Sequence, residues 1–250
     1  MNQINKTKLP PQSLMQNAKT ATTVLQHQVE TEHTAPQFNK QIYGADDVKL
    51  QLIKDQNGKC AYCEQSLNGD FGAVEHFRPK GGYKNSANDC LHKPGYYWLA
   101  YDWHNLLLSC SECNTKYKRN LFPLSDESQR DILHKDISRE NPLLINPSCD
   151  NPGDFIMFNR YIIVPRPNSQ NAQKAKETIN VLQLNDRSAL LHRRQSAWSK
   201  HSNLCILKQL AQNDNNKQIV ELAEKMLADM ESEDAEFTGM FKYQSQKNAI

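Results

Sequence analysis

Two Cys-x-x-Cys pairs, Cys60-Ala61-Tyr62-Cys63 and Cys110-Ser111-Glu112-Cys113, constrain this chain more than any other feature. Each pair sets two sulfurs at the separation of two corners of a tetrahedron, and two pairs complete the closed four-sulfur shell of a structural zinc. Such a shell keeps no open coordination position, so the zinc is scaffold and not catalyst. The 46 residues between Cys63 and Cys110 exceed what a simple zinc ribbon needs, so other material is inserted between the knuckles. The first residues carry no apolar stretch of the kind a signal peptide has, which gives the expectation of a cytoplasmic protein. There the seven cysteines stay reduced, and paired knuckles hold metal in preference to disulfides.

With 250 residues the chain is long enough to bury a core without disulfides. It is polar, 38% hydrophobic, and no run approaches the ~20 apolar residues of a membrane-spanning helix. A net charge of +2 is weaker than that of a dedicated nucleic-acid binder. From Glu75 to Arg119 the balance is seven basic residues to four acidic ones, which fits a modest basic surface and equally a solvated loop.

Four segments follow from the patterning, an α+β arrangement. Residues 1–45 carry one weak helical stripe, Leu14, Ala18, Ala21 and Leu25, and read as an arm lying on the main domain or on a partner. Residues 46–124 open with a helix over Asp46–Asn57, acidic in its first turn and closed by Gly58. A turn at Asn68-Gly69-Asp70 then precedes a strand over Phe71–Phe77, so that Glu75 and His76 lie near the end of one hairpin arm. The apolar run from Tyr96 to Cys110 supplies the core, and SECNTKYKRN begins a short helix. Residues 125–170 are turn-rich with short strands, including the strand-like Phe155–Val164. Residues 171–250 are helical, with stripes at Ala172/Ala175/Ile179/Leu182, at Leu190/Leu191/Trp198 continuing through Leu204, Leu207 and Leu210, and at Val220/Ala223/Leu227/Met230 before a polar tail.

Within the insert, Glu75-His76 is the pair with chemical potential. A histidine can act as a general base near neutral pH, and an adjacent carboxylate is a good ligand for a hard divalent cation. A single histidine on a strand end is more often structural, and its company decides.

That company resembles the HNH nuclease family. Cys60/Cys63, Glu75-His76, Gly81-Gly82, Asn105-Leu106, Cys110/Cys113 and Asn114 match its motif in order. The resemblance implies a zinc-stapled ββα-metal core: a hairpin carrying Glu75 and His76, a loop with Asn105 and a helix with Asn114. It implies that His76 activates water, that Glu75 and Asn114 bind one catalytic Mg²⁺ or Mn²⁺, and that Asn105 holds the loop so that His76 is aimed. Glu75 stands where the family usually has Asp, Asn114 where it often has His, and Tyr117 where it often has Lys. Arg78, Lys80, Lys116 and Lys118 are the nucleic-acid contacts such a site would use.

A second, longer resemblance runs through EHFRPK, WLAYDWHNLLLSCSECN, LFPL, NPLLINPSCDNP and LNDRSALLHRR. These strings are similar to the family of HNH subunits of Septu-type anti-phage systems and its retron-associated relatives. That likeness implies a defence nuclease, DNA its favoured substrate, with an ATPase partner of the PtuA kind and possibly retron components. Two other readings keep the zinc: a ribonuclease acting on tRNA or other structured RNA, and a non-catalytic module that binds nucleic acid or protein. Cys90 and His92 are spare metal ligands or chance residues of an exposed loop; His104 could assist the site. Cys149 and Cys205 read as ordinary thiols, and Arg193-Arg194 as a solvated or partner-facing edge.

Overall fold

A computed structural model describes residues 1–67, 72–167 and 172–244. The architecture is α+β. Helices α1 (Gln12–Gln26), α2 (Lys40–Tyr43) and α3 (Asp46–Asp55) precede a two-stranded sheet of β1 (Ala73–His76) and β2 (Leu106–Ser109). A π-helix, Glu112–Lys118, follows. A second small sheet pairs β3 (Ile156–Asn159) with β4 (Ile162–Pro165), and helices α4 (Ala172–Val181), α5 (Ser188–Asn213), α6 (Lys217–Glu231) and α7 (Thr238–Lys242) complete the chain.

The arm lies on the rest of the molecule. Leu14 and Leu25 of the expected stripe are buried, with Ala18 and Ala21 packed beside them. Ser13 N–H donates to Asp47 Oδ2 at 2.8 Å, tying α1 to the acidic first turn of α3. Gly58, at φ +63°, takes the left-handed conformation that a glycine adopts without steric cost and turns the chain out of α3 into the first knuckle.

The strand bearing Glu75 and His76 is shorter than expected, and its partner lies far along the chain. The Asn68-Gly69-Asp70 turn and Phe71 lie outside the described residues. Antiparallel pairing is with β2, Glu75 opposite Leu107 and His76 opposite Leu106. All four β2 residues are buried, so the LLLS run reads as a continuous apolar strand and not an alternating one. The hairpin arms are therefore joined by the whole loop 77–105, which returns Asn105 to the side of β1.

Three further expectations are revised. Phe155–Val164 is not one strand but a hairpin, because Arg160 at φ 57° turns the chain between β3 and β4. Leu207 and Leu210 do not face the core; they are exposed on α5, which pairs with α6 through Lys208–Glu224 at 2.8 Å and His201–Glu231 at 2.6 Å. The polar tail contains a buried end: Phe237, Met240 and Tyr243 join the core, and Phe158 N–H donates to Tyr243 O at 2.8 Å. A Cβ at Gly153 would lie 2.6 Å from the Tyr243 ring, so only glycine fits where the tail crosses. One cluster of buried side chains runs from Met1 to Tyr243 and includes Cys60, Cys63 and Cys113. Among the described residues no helix is long and apolar enough to cross a membrane.

Candidate metal centre and adjoining histidine site

The four knuckle cysteines converge. Their sulfurs all lie within 4.8 Å of one another, with Cys63 Sγ and Cys110 Sγ 3.8 Å apart. Zinc–sulfur bonds of about 2.3 Å at tetrahedral angles place sulfurs about 3.8 Å apart, so the donor set fits a structural zinc. Local backbone bonds build each knuckle: Glu64 N–H donates to Cys60 O and Cys60 N–H to Gln65 O, while Asn114 N–H donates to Cys110 O. Burial pushes the Cys60 thiol up, and hydrogen bonding, first to Cys113, holds Cys110 well down.

One arginine from the C-terminal segment reaches this centre. Arg187, just before α5, is buried and donates from Nη1 to Cys113 Sγ at 3.1 Å. Burial alone would lower its pKa, but the sulfurs of Cys113 and Cys63 raise it. Arg194 is also buried and donates to Leu184 O, whereas Arg193 is exposed and pairs with Glu236 at 2.6 Å. The expectation of a solvated Arg193-Arg194 edge holds for the first and fails for the second. A zinc with four thiolates carries two net negative charges, and a buried anion needs a cation beside it. Arg187 is the extended residue that precedes α5, so no helical spacing signalled its approach to Cys113 in the sequence.

His76 is 5% exposed. Its Nε2 lies 2.9 Å from Ala100 O. A carbonyl can only accept, so Nε2 carries the proton and Nδ1 is the lone-pair nitrogen. Lys80 Nζ lies 3.4 Å from Nδ1, and the Tyr43 ring meets the imidazole edge to face at 4.8 Å. Burial, then the Lys80 charge, pushes the His76 pKa down to about 3, so this imidazole is neutral.

Asn105 joins the two ends of the loop. Its Oδ1 accepts from Arg78 N–H at 2.7 Å, and its Nδ2 donates to Arg78 O at 3.0 Å and to Leu99 O at 3.1 Å. It thereby fixes the backbone beside both His76 and the Ala100 carbonyl that orients it.

Glu75, 4% exposed, is met by Lys118, whose Nζ lies 2.5 Å from Oε1 and donates to His76 O at 3.1 Å. The approach is that of an ion pair; Oε1 accepts no hydrogen bond of good geometry. Burial raises the Glu75 pKa, with Lys118 and Lys80 opposing it. Asn114 is half-buried and makes no side-chain hydrogen bond to Glu75 or His76 among the described residues. A carboxylate and an amide oxygen are the right donors for a hard divalent ion. With an ammonium at 2.5 Å, however, Glu75 does not fit such an ion until Lys118 withdraws.

The expected nucleic-acid contacts are placed unevenly. Lys118 is fully buried and Arg78 nearly so, the latter paired with Glu140 at 3.0 Å; both are engaged inside the fold. Lys80 is half-buried and Lys116 exposed. Lys118 turns inward because the helix is π-wound: one i→i+5 turn separates it from Cys113, and both are fully buried.

No family model matches the chain, and no solved structure does. Among curated proteins, Septu protein PtuB of Bacillus mycoides (strain KBAB4) is 38% identical over 151 residues, 60% of this chain and 50% of the relative. Septu protein PtuB of Bacillus thuringiensis is 30% identical over 166 residues, 66% of this chain and 51% of the relative. Septu protein PtuA of the same Bacillus mycoides strain is 30% identical over 158 residues, which is 21% of that relative. The chain spans about half the length of the PtuB proteins it matches. Across that half, the shared sequence makes it a homologue of Septu protein PtuB.

Proposed function

We propose that this chain is an HNH-type endonuclease that hydrolyses phosphodiester bonds in nucleic acid, DNA first, as the cutting component of an anti-phage defence complex with a PtuA-like ATPase. The supporting observation is the state of His76. Its Nε2 proton is committed to a carbonyl, which leaves Nδ1 as the lone-pair nitrogen, met by Lys80 Nζ at 3.4 Å, and Asn105 and β2 fix its position. In the reaction His76 Nδ1 takes a proton from water as the water oxygen attacks phosphorus and the P–O3′ bond breaks. Lys80, beside Nδ1, is placed to favour the anionic phosphate near the base. Glu75, Asn105 and Asn114 keep the roles that the family resemblance implies, with the condition that Lys118 leave Glu75 before a divalent ion binds there.

Burial of His76 favours a second reading, a zinc-stapled binding module that does not cut. One experiment separates them: supercoiled DNA and structured RNA incubated with Mg²⁺ or Mn²⁺ and the chain, alone and co-purified with its ATPase neighbour, wild type beside His76→Ala. Cleavage lost in His76→Ala, with fold and zinc retained, is the expected result. Equal cleavage by both proteins removes His76 as base, and no cleavage in any arrangement favours the binding module.

A further inference from the structure

Outside the four-cysteine cluster, one other group of metal-ligating side chains converges among the described residues. Asp89, Cys90 and His92 offer a carboxylate oxygen, a thiol sulfur and an imidazole nitrogen within 4.8 Å of one another. His92 Nε2 lies 2.9 Å from Asp89 Oδ2 and 3.8 Å from Cys90 Sγ. A surface ion pair between Asp89 and His92 explains the first distance but not the second. One ring nitrogen makes one in-plane bond, yet here it faces an oxygen and a sulfur together, as donors around a common ion do.

The loop holds this arrangement without a metal. Tyr83 N–H donates to His92 O at 3.0 Å and His92 N–H to Tyr83 O at 2.9 Å, while the two rings stack at 5.1 Å. Asn85 N–H donates to Asp89 Oδ2 at 2.9 Å, and Asp89 N–H to Ser86 O. Bonds of about 2.0 Å to nitrogen and oxygen and about 2.3 Å to sulfur, at tetrahedral angles, place the donors about 3.3 to 3.6 Å apart. The observed pairs lie within a few tenths of an ångström of that range on either side.

We propose that Asp89, Cys90 and His92 form a second metal site, distinct from the knuckle zinc, that takes a borderline divalent cation, zinc first. Thiolate and imidazole select zinc over magnesium or calcium. Three protein ligands leave the fourth position to water or to an exogenous anion, so this site is open where the knuckle site is closed. Binding replaces the proton shared between His92 and Asp89 and releases the Cys90 proton to solvent. The site lies in the same loop that carries Lys80 and Ala100, and its proposal does not depend on nuclease activity.

The test is cobalt(II) titration of the full chain carrying one zinc per chain, which the closed knuckle site holds, with zinc content measured before and after. The expected result is uptake of one cobalt per chain with a thiolate-to-cobalt charge-transfer band and no loss of zinc. Cys90→Ser should abolish the band, and Asp89→Asn with His92→Ala should abolish the uptake, each with an unchanged circular dichroism spectrum. Absence of uptake, a band that persists in Cys90→Ser, or zinc lost in step with cobalt gained would overturn the proposal, the last by locating the exchange in the knuckles.

Discussion

Replacing Lys118 with methionine removes the ammonium that meets Glu75 while keeping most of the alkyl stem. Both partners are at most 5% exposed, so the pair is not screened as a surface pair would be. Removing one member of a buried pair costs about 3–5 kcal/mol, because the other charge is left without compensation. The donor to His76 O is lost as well, adding about 1 kcal/mol. Urea unfolding should therefore show a midpoint about 1.3–3 M lower, at a slope near 2–3 kcal/mol/M. Adding Glu75→Gln should recover more than half the loss, since it removes the stranded charge; the double-mutant cycle reads the coupling directly.

The same variant has a pH signature. Glu75 already has a folded-state pKa above its ordinary value, chiefly through burial, with Lys118 opposing. A carboxyl raised in this way stabilises the fold fully below its unfolded pKa, and that contribution is lost as pH rises through the folded value. Without Lys118 the folded value rises further, so Lys118→Met should lose more stability than wild type between pH 4 and pH 8. Manganese then tests the competition for Glu75: it should stabilise Lys118→Met and leave the wild type nearly unchanged. A loss under about 1 kcal/mol, close to that of an exposed pair, would refute the buried-pair reasoning. Equal stabilisation of both proteins by manganese would refute the competition.

Two further outcomes follow from the same geometry. Arg187→Met removes the donor to Cys113 Sγ and should weaken zinc retention by about 10–100-fold, as loss of an outer-shell partner does; competition with a chromogenic chelator measures it. Asn105→Ala strands Arg78 N–H, Arg78 O and Leu99 O inside the fold and should cost about 3 kcal/mol, at about 1 kcal/mol for each bond. Calorimetric melting checks it, and an unchanged transition would show that these groups find other partners.

What the sequence made legible was local chemistry and period. The knuckles announced themselves by spacing, and α3 by its acidic first turn and its glycine. What it concealed depended on tertiary pairing. Nothing local to Ala73–His76 says that its partner lies at Leu106–Ser109, because the two meet only after the whole loop 77–105 has folded back. Lys118 was concealed by helical period: in an α-helix Tyr117 is the position that follows Cys113 by one turn, and only π winding brings Lys118 beneath Cys113. The buried tail was concealed by composition, since Phe237, Met240 and Tyr243 stand among polar neighbours and pack only because β3 and Gly153 receive them.

The burial of His76 links stability to the proposed chemistry. Its anchors belong to the core: Ala100 is fully buried, Leu106 across the sheet is fully buried, and Asn105 is spent on three backbone bonds. Its cover does not. The Tyr43 ring comes from α2, a four-residue helix with no buried residue, and Asn39 N–H to Tyr101 Oη at 2.8 Å is a principal tie at its start. Short elements with few buried contacts open at a small fraction of the global unfolding free energy. Displacing Tyr43 would admit water to the imidazole and remove part of the burial that holds its pKa near 3, returning it toward the ordinary value near 6.5. A base works best with a pKa close to the working pH. On the proposed nuclease reading, a displacement of Tyr43 that admitted a phosphodiester to His76 would also make His76 more basic, because both depend on the same burial.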